Sequence, residues 1–318
     1  MTIGWQRPNA GAFDPARQSA ALMTLDRIAP ALFVLLWSSG WVAAKYGGIY
    51  SDPLTFLVVR YITAALLFAA VCWVAGVRWP KGRSAIVHAM ISGAFLHGFY
   101  LGTVWWAIAH GVPAALSGII AALQPLMTAL AAPYFIGERL SPLQKSGICL
   151  GFAGVAIAVV PKLLGTGQSE IPVFPVIMNV IGMVSVTYGT IYQKQHLQTG
   201  DLRAIATLQY VGAAAVTLPF ALALEPFRVE LSFGFIALLL WSVVGISMGA
   251  ILLLLYLLRR GQVSRAAALI YLVPPLASVQ AAIIFGEELT LPMILGTLVV
   301  IAGVYLANRK QRQAAPAE

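Results

Sequence analysis

The sequence predicts an all-α polytopic membrane protein with ten transmembrane helices in two inverted five-helix repeats. Three observations carry this. The 318-residue chain is 60% apolar and 10% charged, with a mean hydropathy of +0.85, whereas a soluble domain carries roughly 25% charged residues to cover its surface. Ten apolar runs approach the length of about 20 residues that a helix needs to cross a bilayer. The second half of the chain also repeats the first at an offset of 149 residues. Such a composition excludes an ordinary soluble enzyme and a disordered chain.

The runs follow one another with short breaks. Residues 1–27 are polar, carry Arg7, Arg17 and Arg27, and read as a tail with at most a short surface helix near 19–25. Span one covers 28–44, and span two covers 54–77 with Arg60 inside it. Span three covers 85–109 with His97 at its middle, and span four covers 112–136 around Pro125. Span five covers 143–160 and completes a first repeat, 28–160. A linker, 161–171, leads to a second repeat, 172–307. Its spans are 172–193, 204–224, 232–258, 262–285 around Pro274-Pro275, and 291–307, before a tail at 308–318. Spans tolerate such prolines because neighbouring helices re-satisfy the backbone.

The cations fix the orientation. With ten spans both tails share a side, and 16 of the 20 Lys and Arg residues fall there. Lys45, Lys162 and Arg228 lie opposite, and Arg60 lies within its span. The positive-inside rule places both termini in the cytoplasm. The net charge of +9 is therefore membrane-flanking charge, not a nucleic-acid surface. Cys72 and Cys149 sit inside apolar runs as small packing residues.

The repeat is read from matches in one register. Asp52, Tyr61, Ala64 and Ala65 match Asp201, Tyr210, Ala213 and Ala214; Leu123, Pro125 and Ala132 match Leu272, Pro274 and Ala281. Gly137-Glu138-Arg139-Leu140 matches Gly286-Glu287-Glu288-Leu289, and Gly147 and Gly154 match Gly296 and Gly303. Five spans per repeat is an odd number, so the second copy is inverted. Inverted repeats give secondary transporters two related conformations around a midplane site.

Leu36-Trp37-Ser38-Ser39-Gly40, Asp52-Pro53-Leu54 leading to Arg60, and the two Pro-then-Gly-Glu pairs carry a family resemblance. Over about 28–307 the chain resembles the drug/metabolite transporter superfamily in its ten-helix EamA-type branch. The resemblance implies an exporter of amino acids, metabolites or drugs in a bacterial inner membrane. Its general look is similar to aromatic amino-acid exporters, although no motif specifies the substrate.

Arg60 has two readings: a partner for a substrate carboxylate, or a structural cation that snorkels or bonds backbone carbonyls. Its repeat mate is Gln209. His97, with Tyr100 on its face, reads as a hydrogen-bonded group or a proton carrier. Trp37 and Trp41 share a face of span one, and Tyr188, Trp241, Met248 and Tyr271 lie inside later runs. They read as packing or as the lining of a wide, apolar, π-rich cavity, with Gln124, Asn179, Ser185 and Gln280 supplying hydrogen bonds. Trp79, Trp105 and Trp106 fit the interfacial belt. Pro125 and the pair Pro274 and Pro275 read as hinges or static kinks, with gates closing at Glu138 and Glu287. The glycines of spans five and ten suit close docking, within one chain or between two.

All 11 acidic residues lie in tails, loops or span ends. Coupled carriers usually place a carboxylate at depth, so the sequence favours a facilitator or exchanger. It offers no metal-ligand spacing, phosphate loop or catalytic pair, which implies neither an enzyme nor a cofactor. The expected partners are a small-molecule substrate and the lipid bilayer, with no nucleic acid, in a monomer or weak homodimer. A multidrug or nucleotide-sugar carrier is the alternative; the latter needs more cations than Arg60. A channel needs rings of like polar groups, which are absent from the sequence.

Overall fold

The computed structural model describes residues 15–136, 140–165, 171–250, 252–253, 256, 269 and 271–308. Ten helices are assigned here. They are α1 Pro15–Tyr50, α2 Pro53–Val74, α3 (83–109), α4 (114–136), α5 Pro142–Leu163, α6 Val173–His196, α7 Leu202–Leu224, α8 (233–250), α9 Val273–Phe285 and α10 Leu291–Ala307. The first eight are long and apolar enough to cross a membrane, and the last two are shorter apolar helices. Among the described residues an antiparallel bridge between Ser51 and Val229 is the sole strand-like pairing.

Local chemistry sets the helix ends. Proline stands in the first turn of α2, α5, α9 and α10, where its missing N–H costs nothing. Ser141 and Gln144 form a reciprocal capping box on α5, and Ser232 accepts from the Phe235 amide on α8. Gly286 ends α9 with φ of +67°, a left-handed stop that glycine adopts without a Cβ penalty. Two ends differ from expectation. Residues 15–27 continue α1 as one helix rather than forming a separate short one. Helix α5 runs on through Lys162, which is buried in its last turn, where the helix dipole favours a cation.

Regular α-geometry fails at four places, and they correspond in pairs. Helix α4 consists of Ala114–Ala121 and Leu123–Ile136, broken at Ala122; Pro125 has no N–H to offer the Ala121 carbonyl. Its mate α9 begins at Val273, just beyond a turn at 271–272; the shift of 149 residues carries Ala122 onto Tyr271. Helix α3 contains a π-helical segment, Ala94–Phe99, and α8 another, Trp241–Ala250. The same shift carries 94–99 onto 243–248, inside the second. The sequence reading found the proline breaks and missed the π segments.

The repeats interlock about a pseudo-twofold axis. Helix α2 packs on its own mate α7 through Tyr61, Phe68 and Tyr210, and α5 packs on α10. In the latter pair a Cβ at Gly147, Gly154, Gly296 or Gly303 would strike backbone of the opposite helix. The two backbones are that close because lipid supplies no hydrophobic drive and small residues maximise dispersion contact. The glycine faces are therefore spent within one chain. Gly303→Leu is expected to lower the thermal midpoint in detergent, since overpacking costs about 1–3 kcal/mol. Gly40→Ala, which points into open space, is expected to leave it unchanged.

Candidate functional site

The centre of the bundle holds a buried guanidinium. Arg60 on α2 is 5% exposed. Its Nη2 donates to Ser247 Oγ at 3.1 Å. That hydroxyl donates on to the Ser242 carbonyl at 3.1 Å within the α8 π segment. Arg60 Nε is buried with no partner. The guanidinium lies 6.0 Å from the Trp105 ring, which stacks on Phe56 at 5.2 Å. Tyr61 donates to the His97 carbonyl at 2.8 Å, and the His97 ring stacks on Tyr210 at 4.7 Å.

The repeat mate behaves differently. Gln209 Nε2 donates to Ser92 Oγ at 3.0 Å and to Gln193 Oε1 at 3.1 Å, which ties α7 to α3 and α6. Arg60 keeps a donor in reserve; the amide donor of Gln209 is engaged twice.

Among the residues singled out from sequence, Arg60 and His97 are linked through Tyr61, which follows Arg60 in the chain and bonds the His97 carbonyl; Tyr100 is half-buried three residues further along α3. Trp41 lies 5% exposed with Nε1 unpartnered, while Trp37 is 38% exposed and tilts against Phe33. Asn179 donates to Ser117 Oγ at 2.7 Å and leaves Oδ1 buried and unpartnered. Ser185 is spent on the Phe95 carbonyl. Tyr188 meets Phe95 edge-on and shares an exposed apolar stripe with Ile177, Ile181 and Val184, the pattern of a lipid-facing surface. Trp241 Nε1 donates to Ser39 Oγ, joining α8 to α1. Gln280 reaches the Leu35 carbonyl and keeps Oε1 unpartnered. Gln124, Met248 and Tyr271 are half-buried, with Gln124 and Tyr271 at the α4 and α9 breaks. Pro274 is buried and Pro125 and Pro275 half-buried beside the same breaks. Glu138 lies outside the described residues.

Two readings need correction. Trp105 is 1% exposed and belongs to the core, not to an interfacial belt; it lies against Gly47, where a Cβ would meet its ring at 2.7 Å. Arg60 is not the one cation buried in a helix, since Lys162 is 8% exposed. Ser247 carried no signal in sequence, because a serine in an apolar run looks like packing. Tyr61 and Tyr210 did carry one, as a matched pair.

The two ends of the bundle differ. At the end bearing Lys45, the Glu287 carboxylate accepts from Lys45 Nζ at 2.6 Å and from the Ala114 and Ala115 amides at 3.0 and 2.9 Å. Glu225 similarly accepts from the Leu54 and Thr55 amides, each at 2.8 Å. Asp52 accepts from the Arg228 amide at 2.7 Å. Each contact crosses between repeats and satisfies backbone donors, at a helix start in the first two cases. At the opposite end Asp201 turns to its own helix. The Arg203 guanidinium and amide hold its carboxyl down at about 2. No hydrogen bond joins loops 75–82 and 197–201 among the described residues. Among the described residues, cross-repeat ties of this kind gather at the Lys45 end.

Ser247→Ala is expected to leave Arg60 Nη2 buried without its acceptor, lowering stability by about 1–3 kcal/mol. The double variant with Arg60→Met is expected to recover part of that loss, a coupling read from thermal midpoints in a double-mutant cycle.

Comparisons agree with this architecture. The EamA-like transporter family matches residues 28–160 and 173–309. An uncharacterized transporter, YvbV, of Bacillus subtilis is 28% identical over 290 residues, covering 89% of this chain and 91% of that one. A probable amino-acid metabolite efflux pump of Escherichia coli is 26% identical, covering 88% and 94%. A probable terminal-alkyne amino-acid exporter of Streptantibioticus cattleyicolor is also 26% identical, covering 88% and 92%. A protein of known crystal structure superposes with a TM-score of 0.59 at 17% identity over 88% of this chain and 96% of the other, a likeness of fold alone. Two matched segments, one for each five-helix half, make this chain a member of the EamA-like transporter family.

Proposed function

We propose that this transporter exports small amphipathic metabolites, aromatic or large apolar amino acids foremost, across a bacterial inner membrane by alternating access. The observation that carries the reading is Arg60. It is a buried cation with a spare donor, set over Trp105 and next in the chain to Tyr61, which in turn meets Tyr210 and the His97 carbonyl at the repeat interface. A guanidinium suits a carboxylate, and the rings suit a large apolar side chain. The names of the Escherichia coli and Streptantibioticus cattleyicolor relatives support amino-acid chemistry.

The cation distribution supports cytoplasmic termini, so the Lys45 end, with its cross-repeat contacts, faces outward. In this reading Pro125, Pro274 and Pro275 mark the hinges. Glu287 closes the outer gate and Glu138 the inner one. The scarcity of acids at depth favours a facilitator or an exchange driven by substrate gradients. With its glycines spent internally, the chain works as a monomer or as a weak homodimer joined through another face.

Uptake into inside-out vesicles, assayed against a panel of amino acids, tests the substrate. Aromatic amino acids are expected to be transported, and transport of none would overturn the reading. Arg60→Gln is expected to raise KM at least tenfold, the effect of losing a charge-assisted bond of about 1.5–3 kcal/mol; unchanged affinity removes Arg60 from the site. Orientation is read by single cysteines under a membrane-impermeant maleimide on intact cells. Glu230→Cys is expected to label and Ser84→Cys is not.

A further inference from the structure

The Lys45 end contains several cross-repeat contacts, and inverted symmetry separates them into two kinds. A contact that the transporter trades between its two ends needs suitable residues at both ends, related by the 149-residue shift. Glu225, which caps α2, has Gly76 as its mate and has no equivalent to exchange. Arg228, which faces Asp52, has Trp79. Lys45 and Glu287 are different: their mates are Lys194 and Glu138, the same residue types.

The geometry around Glu287 fits a contact made to be broken. One carboxylate gathers three helices: α9, which ends two residues before it; α1, through Lys45; and α4, through the Ala114 and Ala115 amides. Those amides start the N-terminal half of α4, seven residues ahead of the break at Ala122. Helix α9, which ends two residues before Glu287, starts at its own break. The latch therefore joins the free arms of the two interrupted helices, where a swing at each break has its largest throw. Lys45 stacks over Phe285 at 4.7 Å and is 38% exposed along its side chain, whereas that of Glu287 is 9% exposed. Water can reach the lysine while the carboxylate stays covered.

We infer that Glu287 is the releasable latch of the Lys45 end, acting mainly as an acceptor for the α4 amides with Lys45 as an auxiliary donor. Glu225 is a fixed tie. Glu287 and Lys45 are positioning residues that set the balance of conformations without touching substrate. The inference rests on the alternating-access reading but not on the substrate, so substrate-free protein tests it apart from uptake.

The test is a spin-label distance between His110→Cys and Glu288→Cys, exposed positions flanking the latch, in a Cys72→Ala, Cys149→Ala background reconstituted in nanodiscs. The parent is expected to show a short distance. Glu287→Ala is expected to shift the open-to-closed ratio at least tenfold, the change that about 1.4 kcal/mol makes. Lys45→Gln should shift it less. The exchanged pair, Lys45→Glu with Glu287→Lys, should fail to restore closure, because amide donors repel an ammonium. Glu225→Gln is expected to lower the thermal midpoint and leave the distance alone. Closure restored by the exchanged pair, or a distance unchanged in folded Glu287→Ala, overturns the proposal. If Glu287→Ala does not fold, Glu287→Gln, which offers one acceptor oxygen in place of two, is expected to shift the ratio in the same direction, and an unchanged distance there overturns the proposal equally.

Discussion

In a bilayer every backbone N–H must find its partner inside the protein, and the arrangement of this chain follows from that. Where the helices stay regular the rule satisfies itself. Where they do not, at the α3 and α8 π segments and at the α4 and α9 breaks, the irregular backbone lies against other helices near the repeat interface. The helix starts leave further donors free, and at the Lys45 end carboxylates from the opposite repeat answer two of them. The scarcity of charge that marks the sequence is thus matched by economy of use: Asp52, Asp201, Glu225 and Glu287 each accept from backbone amides.

Equivalent positions do not do equivalent things. Arg60 and Gln209 share a register, yet one reaches the α8 π segment with a donor to spare and the other ties α7 into α3 and α6. Asp52 reaches across to Arg228 while Asp201 folds back on Arg203. Two copies of one sequence pattern hold two arrangements of side chains at these positions. A helix pair such as α5 and α10, joined by backbone contact at small residues, shows no such difference.

Much of this was legible beforehand. Apolar runs of bilayer length and the 149-residue register give the helices and their inversion. The prolines gave the α4 and α9 breaks, because a missing N–H leaves a mark in sequence. A π segment removes no donor and demands no residue type, so Ala94–Phe99 and Trp241–Ala250 left no mark. Trp105 misled because a tryptophan near a span end looks interfacial until Gly47, on another helix, makes room for it. Lys162 misled because hydropathy ends a span before the hydrogen-bonding pattern does. Ser247 became visible only when α8 was set beside α2. Long-range juxtaposition, not local propensity, assembles the centre.

Tyr61 and Tyr210 touch each other, and each is the other's counterpart. If the two halves trade shapes, this pair sees the same neighbour before and after, so it marks a stationary point of the motion. Arg60 is the adjoining residue in the chain. A group beside a fulcrum travels least while the helix tips travel most. A cargo held there stays nearly still in the membrane as the doorway changes sides around it. The work of carrying is then done by the lever arms, and the grip need not loosen until the far door has opened.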